Sequence, residues 1–222
     1  FALLSDWPDA DAARVAGDDA LLDLARRRVA ALNAEHPAAA GHAPRFLLLH
    51  RERGFSETEQ RWIGWERKRG KLEQLIAALA QGHEQGGVFI DCGEASRLAT
   101  GIRYVVTLDS DTQLPPGRLR ELVGVAAHPH NQPRLDSARR RVEAGYGILQ
   151  PRIVTPLPAV RDFTRFHWLF AGQCGIDPYS AASSEVYQDL FAEGSFTGKG
   201  LLDVQAMLAV LAGRLPDGQV LS

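Results

Sequence analysis

The chain is poor in cysteine and lysine, has a single methionine and holds no long apolar run, and each shortage closes off a class of answer. Cys92 and Cys174 stand far apart, with no Cys-x-x-Cys and no histidine at ligand spacing, which excludes a disulfide framework and structural zinc. Both read as inert thiols of a reducing compartment. No stretch approaches the roughly 18 apolar residues of a membrane span, and the first residues lack a signal-peptide layout, so these residues alone are expected to be soluble. A net charge of −2 from 25 basic and 27 acidic residues leaves no bulk positive field to hold nucleic acid. Repeats, coiled coils and low-complexity tracts are absent too. What remains is an ordinary globular balance, 45% hydrophobic and 23% charged over 222 residues, enough for a core that is stable without staples. The chain opens on Phe-Ala-Leu-Leu without methionine and closes on Gln219-Val220-Leu221-Ser222 as an apolar run begins, so both ends are expected to be cuts in a longer polypeptide.

Apolar periodicity gives the order of elements. Residues 1–5 read as a strand whose end carries Asp6 and a turn. Asp18 and Asp19 offer an N-cap for a helix with Leu21, Leu22, Ala25, Val29 and Leu32 at helical spacing. Phe46 to Leu49 is a buried-strand candidate running into Arg51 and Arg53. Ser56 with Glu59 reads as a capping box opening a long helix to about Ala80, followed by a glycine-rich flexible break at 81–87. Tyr104 to Leu108 is the best strand, β-branched and apolar, and is expected to be central; Pro115-Pro116 opens another helix. Residues 128–141 read as a polar hairpin excursion before a strand at 146–153, with helices near 160–171, 183–192 and 201–213. Strands alternating with helices predict an α/β domain on a mainly parallel sheet, whose ligands lie at the carboxyl ends of strands.

Chemistry concentrates in three places. Asp109-Ser110-Asp111 follows the best strand at once, so two carboxylates can converge on a hard cation such as Mg²⁺ or Mn²⁺ and leave positions for a diphosphate. An isolated Asp-x-Asp is also what a strand-end acid and a turn cap look like; its position after that strand favours function. The second is Trp62 to Leu72, where Lys68 and Lys71 flank Gly70. Lysine is a compact point charge and glycine permits close backbone approach, which together suit phosphate, although Glu66 and Glu73 fit a solvated helix face equally. Trp62 and Trp65 read as core. The third is Glu193 to Gly200, with Gly198 and Lys199, which is one residue short of a Walker A loop and lacks its Ser/Thr; an ATPase reading is rejected. The His128 and His130 pair reads as surface hairpin.

Taken in order, the strings FALLSDWPDADA, RWIGWERKRGKL, YVVTLDSDTQLP, YGILQPR, GIDPY, VYQDLFAEGSFTGKG and LPDGQVLS resemble the catalytic domain of cyclic β-1,2-glucan synthases, glycosyltransferases of family 84. The resemblance implies a GT-A-type fold, a mainly parallel sheet flanked by helices and truncated at both ends. It implies a single domain over 1–222, with 1–115 the nucleotide-sugar donor half and 116–222 the acceptor-side half. Its donor would be UDP-glucose and its acceptor a growing β-1,2-glucan. Asp6 would sit near the uracil or ribose, Lys68, Gly70 and Lys71 at the diphosphate, with Arg51 and Arg53 as weaker donor-side candidates. Asp109 would face the ribose or reach the metal through water, and Asp111 would hold Mg²⁺ or Mn²⁺. Glu193, Gly198 and Lys199 would line the acceptor side. The family inverts, so a carboxylate must remove the acceptor 2-hydroxyl proton, and in the family it belongs to a His-Asp pair just after Leu-Ser. Here that places the base beyond Ser222, and a fragment with little transferase activity is expected. The intact polypeptide is expected in the bacterial inner membrane, with this domain on the cytoplasmic side and the rest of the chain as its partner.

Two rival readings use the same residues. A haloacid-dehalogenase-like phosphohydrolase would use Asp109 as nucleophile, with Asp111 handling the leaving-group proton. A non-catalytic α/β module would bind a nucleotide only.

Overall fold

The computed structural model describes residues 1–81, 88–151, 164–170, 190, 196 and 198–211. The glycine-rich break, Glu193, the GIDPY and LPDGQVLS strings, Cys174 and most of the helices expected near 160–171 and 183–192 lie outside the described residues.

The first 51 residues form one β-α-β unit. Strand β1 (Ala2–Asp6) and strand β2 (Leu47–Arg51) pair in parallel, joined through the 18-residue helix α1 (Asp18–Glu35). Parallel neighbours need such a crossover, and the helix supplies it. Of the expected apolar stripe on α1, Leu22 and Val29 are buried whereas Leu21 and Leu32 stay exposed. Leu22, Val29, Trp7 and Leu48 form one core cluster. The helix starts at Gly17, in the left-handed region at φ 98°. Asp18 accepts a hydrogen bond from the Val15 amide just outside the helix.

One half of the capping box at Ser56 and Glu59 forms, the Glu59 carboxylate going to Arg67 instead, and no helix starts there. The Glu59 amide donates to Ser56 Oγ at 3.2 Å, and Gln60 then takes φ 54°, which turns the chain back. The result is an antiparallel hairpin of β3 (Gly54–Ser56) and β4 (Arg61–Ile63), on which Phe55 and Trp62 meet edge to face. Helix α2 (Arg67–Gln81) begins only after it. Leu75 and Ile76 are its buried hydrophobic residues.

The mainly parallel sheet is the second expectation to be corrected. Strand β5 (Tyr104–Thr107) pairs antiparallel with β9 (Gly200–Asp203), which pairs antiparallel with β8 (Ile148–Leu149). Among the described residues the order is β5-β9-β8, so β9 is central there and β5 lies at an edge. Residues 201–203, expected as the start of a helix over 201–213, belong to this strand, and all four residues of the strand are buried. A continuously apolar run fits a buried strand as well as a buried helix, and here the strand takes it. Helix α3 (Arg118–Ala127) follows Pro115-Pro116 as expected. The polar excursion is a hairpin of β6 (Arg134–Asp136) and β7 (Arg141–Ala144). After helix α4 (Arg165–Phe170) and β9 comes α5 (Val204–Leu211). Asp203 Oδ1 accepts from the Ala206 amide at 3.0 Å and so caps α5.

The described architecture is therefore mixed α/β with small sheets that are mostly antiparallel; among the described residues the β1–β2 pair is the parallel one. Ile76 of α2 packs with Leu202 and Val204 in a second core cluster. Burying each of Leu201 and Leu202, both below 3% exposure, contributes about 2 kcal/mol. Helix α2 thereby lies against the sheet that carries β5, with its first turn free to reach the strand end.

Candidate functional site

Three segments remote in sequence meet at Asp109. Thr107 of β5 pairs with Gly200 of β9, so the chain just after β5 and the chain just before β9 leave the sheet side by side. Asp109 Oδ2 takes the Lys199 ammonium at 2.9 Å. Its Oδ1 takes the Lys68 ammonium, which reaches over from the first turn of α2. Gly198 stands at φ +84° and closes the gap: a Cβ there would lie 2.7 Å from Lys68 Nζ. The positive φ is what favours glycine there, since the flexible tip of Lys68 can move aside. The turn after β5 is fixed by the Thr112 amide donating to the Asp109 carbonyl at 3.0 Å.

Two ammonium groups hold one carboxylate firmly ionised. Hydrogen bonding from Lys68, and then from Lys199, keeps Asp109 below the usual carboxylate range. The Lys199 ammonium is raised in turn by Asp109 and, to a smaller extent, by the charge of Asp111. The cluster lies at the surface, the Lys68, Asp109 and Lys199 side chains being 46%, 35% and 25% exposed.

A second cluster forms at Asp6, where β1 ends. Arg51 grips it with two nitrogens, Nε to Oδ1 at 2.6 Å and a terminal nitrogen to Oδ2 at 3.0 Å. Lys71 adds a third contact at 3.2 Å. Lysines 68 and 71, three apart on α2, thus reach different carboxylates, one at the end of β5 and one at the end of β1. The expectation that both serve one group divides in two here.

The remaining donor-side candidates face inward. Arg51 also donates to Gln74 Oε1 at 2.6 Å and to the Arg67 carbonyl at 3.1 Å. Arg53 is buried on Asp18, with contacts of 2.5 and 3.2 Å, and donates to the Pro8 and Ala13 carbonyls. Its guanidinium also lies 5.5 Å from the centre of the Trp7 ring. Gly70 is buried, and a Cβ there would clash with the Trp65 carbonyl and ring, so its close approach is to Trp65. Trp62 and Trp65 are half-buried rather than core. Glu193 lies outside the described residues.

A hard divalent cation fits part of this donor set. Asp111 is exposed, with a long 3.5 Å contact from the Thr112 hydroxyl, and its oxygens suit Mg²⁺ or Mn²⁺. Asp109 has each oxygen on an ammonium, so it serves a cation only through water or by giving up a lysine. Among the described residues, no group of three or more His, Cys, Asp or Glu side chains gathers to hold a metal. No helix of the described residues is long and apolar enough to cross a membrane. Sequence reasoning placed Lys199 on the acceptor side and missed that it shares Asp109 with Lys68. The usable signal was scarcity, since the chain has three lysines and two of them are these.

No family model matches the chain. Over all 222 residues it is 42% identical to the cyclic beta-(1,2)-glucan synthase NdvB of Rhizobium meliloti (strain 1021). The chain is homologous to a part of that synthase. It spans about 8% of the synthase's length. All seven strings quoted above for the glucan-synthase resemblance fall within the aligned stretch, and so do Lys68, Asp109 and Lys199.

Proposed function

We infer that this chain carries the nucleotide-sugar donor site of a glucosyltransferase that builds β-1,2-glucan from UDP-glucose, with a GT-A-type fold of which the β1–β2 pair is the parallel portion. The observation that supports the reading best is the meeting of Lys68 and Lys199 at Asp109, at the end of β5. Two flexible ammonium groups beside an exposed aspartate suit a diphosphate. Lys68 and Lys199 bind the diphosphate, Asp111 holds Mg²⁺ or Mn²⁺, and Asp6, steadied by Arg51 and Lys71, faces the nucleoside side. The acceptor glucan approaches from the half that contains Glu193.

In an inverting transfer the acceptor 2-hydroxyl attacks the anomeric carbon of glucose, the bond from that carbon to UDP breaks, and the hydroxyl proton passes to a carboxylate base. The divalent ion, when bound, supplies positive charge to the departing diphosphate. Lys68 and Lys199 supply charge to the same oxygens and orient them. A phosphohydrolase reading needs an Asp109 oxygen free to attack phosphorus. In the ligand-free chain both oxygens are engaged by ammonium groups.

Calorimetric titration of UDP with and without Mn²⁺ tests the proposal. Mn²⁺ is expected to tighten binding about tenfold, or about 1.4 kcal/mol, and Asp111→Asn should abolish that gain while leaving the metal-free affinity in place. Equal affinity with and without Mn²⁺ in the wild-type chain refutes it.

A further inference from the structure

Resting on the reading that this site takes a diphosphate, we propose that Asp109 is a built-in counter-anion: its carboxylate occupies, in the ligand-free chain, the two ammonium groups that the ligand's phosphates take over on binding. The two carboxylate oxygens are shared out one to each lysine, Oδ1 to Lys68 and Oδ2 to Lys199. An incoming phosphate and this carboxylate therefore compete for the same donors.

The exchange is open to solvent, and the lysines are delivered by scaffolds that do not depend on Asp109. With 35% of its side chain exposed, Asp109 gives up its ion pairs without uncovering a buried charge. Lys68 is placed by the first turn of α2, and Lys199 by the pairing of Gly200 with Thr107. Gly198 keeps the space at the Lys68 ammonium clear, where a Cβ would stand 2.7 Å away.

Lys71 supplies the contrast. It is 17% exposed and its carboxylate, Asp6, is also held by both prongs of Arg51. An anion there would have to displace a bidentate, nearly buried pair. Lys71 therefore stays on Asp6 while Lys68 and Lys199 exchange. Asp109 is thus a positioning residue: it gathers two like charges that repel each other and yields them to a stronger anion.

Inorganic pyrophosphate in the presence of a chelator isolates this step from any metal. Asp109→Asn should bind pyrophosphate about three- to fivefold more tightly than wild type by calorimetry, since a competing partly exposed ion pair is gone. A residue that merely held the loops together would weaken binding on removal, so unchanged or weaker binding by a folded Asp109→Asn chain overturns the proposal. If the variant does not fold, the wild-type chain decides. Its three lysines give three resolvable side-chain signals in lysine-labelled NMR spectra. Pyrophosphate should shift those of Lys68 and Lys199 and leave that of Lys71 in place; no shift, or an equal shift of all three, overturns it. Neither arm uses metal or Asp111, so failure here leaves the metal-dependent UDP result standing, and the reverse holds as well.

Discussion

The ends of β1 and β5 each present an aspartate to basic side chains, and the two are built from opposite materials. At β1 the cation is chiefly arginine: Arg51 on Asp6, with Arg53 on Asp18 nearby, both guanidiniums buried and each of their nitrogens given to an internal acceptor. At β5 the cations are lysines at the surface. A planar fork with fixed donor directions locks a carboxylate in place, whereas a point charge on a flexible stem can be traded. The same pairing of charges is buried scaffold in one region and an exposed candidate site in the other, and burial together with the kind of cation makes the difference.

The largest effect that sharpens this contrast belongs to the arginine region. Arg51→Met should lower the unfolding free energy by about 3 kcal/mol in urea titrations, because it strips a nearly buried carboxylate of its bidentate partner. A loss under about 1 kcal/mol would place Arg51 among ordinary surface cations. Lys199→Gln should do the reverse, leaving the urea midpoint where it is and weakening pyrophosphate about fivefold. A Lys199→Gln chain that unfolds early while binding normally would erase the distinction.

Acid gives the smallest effect and separates His50 from Asp109 by pH. Burial holds the His50 imidazole, at the end of β2, below its ordinary 6.5, the charges of Asp6 and Glu52 opposing it only in part. The unfolded chain then takes up a proton that the folded chain declines, so this contribution is whole above 6.5 and drains as the pH falls toward the depressed folded value. Asp109, held by Lys68 and Lys199 below 3.8, contributes above 3.8 and loses its share only as the pH falls through its own lower value. Urea midpoints measured against pH should therefore begin to fall just below 6.5. His50→Gln should flatten that first limb, and Asp109→Asn only the limb below 3.8. A wild-type midpoint that is level between pH 6.5 and 5 would contradict the assignment to His50.

How much of this was legible beforehand depended on the range of the interaction. Local signals read well: the strand before Asp6, the helix from Asp18, the strand at Tyr104, the helix after Pro115-Pro116 and the polar hairpin. The Ser56 and Glu59 box misled because the hydrogen bond it promises also forms inside a hairpin turn, and Gln60 in the left-handed region decides which of the two results. Residues 201–203 misled because a short apolar run has no period that separates buried strand from buried helix; Asp203, as the cap of α5, was the local clue to the boundary. The antiparallel β5–β9 pairing, and with it the meeting of Lys68 and Lys199 on one carboxylate, is written in no local window. At the site, the three segments were each marked by residue type, but their convergence is tertiary.

The register of β9 against β5 has a consequence for how the molecule comes apart. Lys199, next to Gly200, reaches Asp109, so the lysine–aspartate cluster is tethered to the middle ribbon of its sheet by main-chain bonds. It has no way to melt by itself. Parting of β9 from β5 would carry the two groups away from each other, and occupancy by an anion should accordingly vanish at the temperature at which the sheet does.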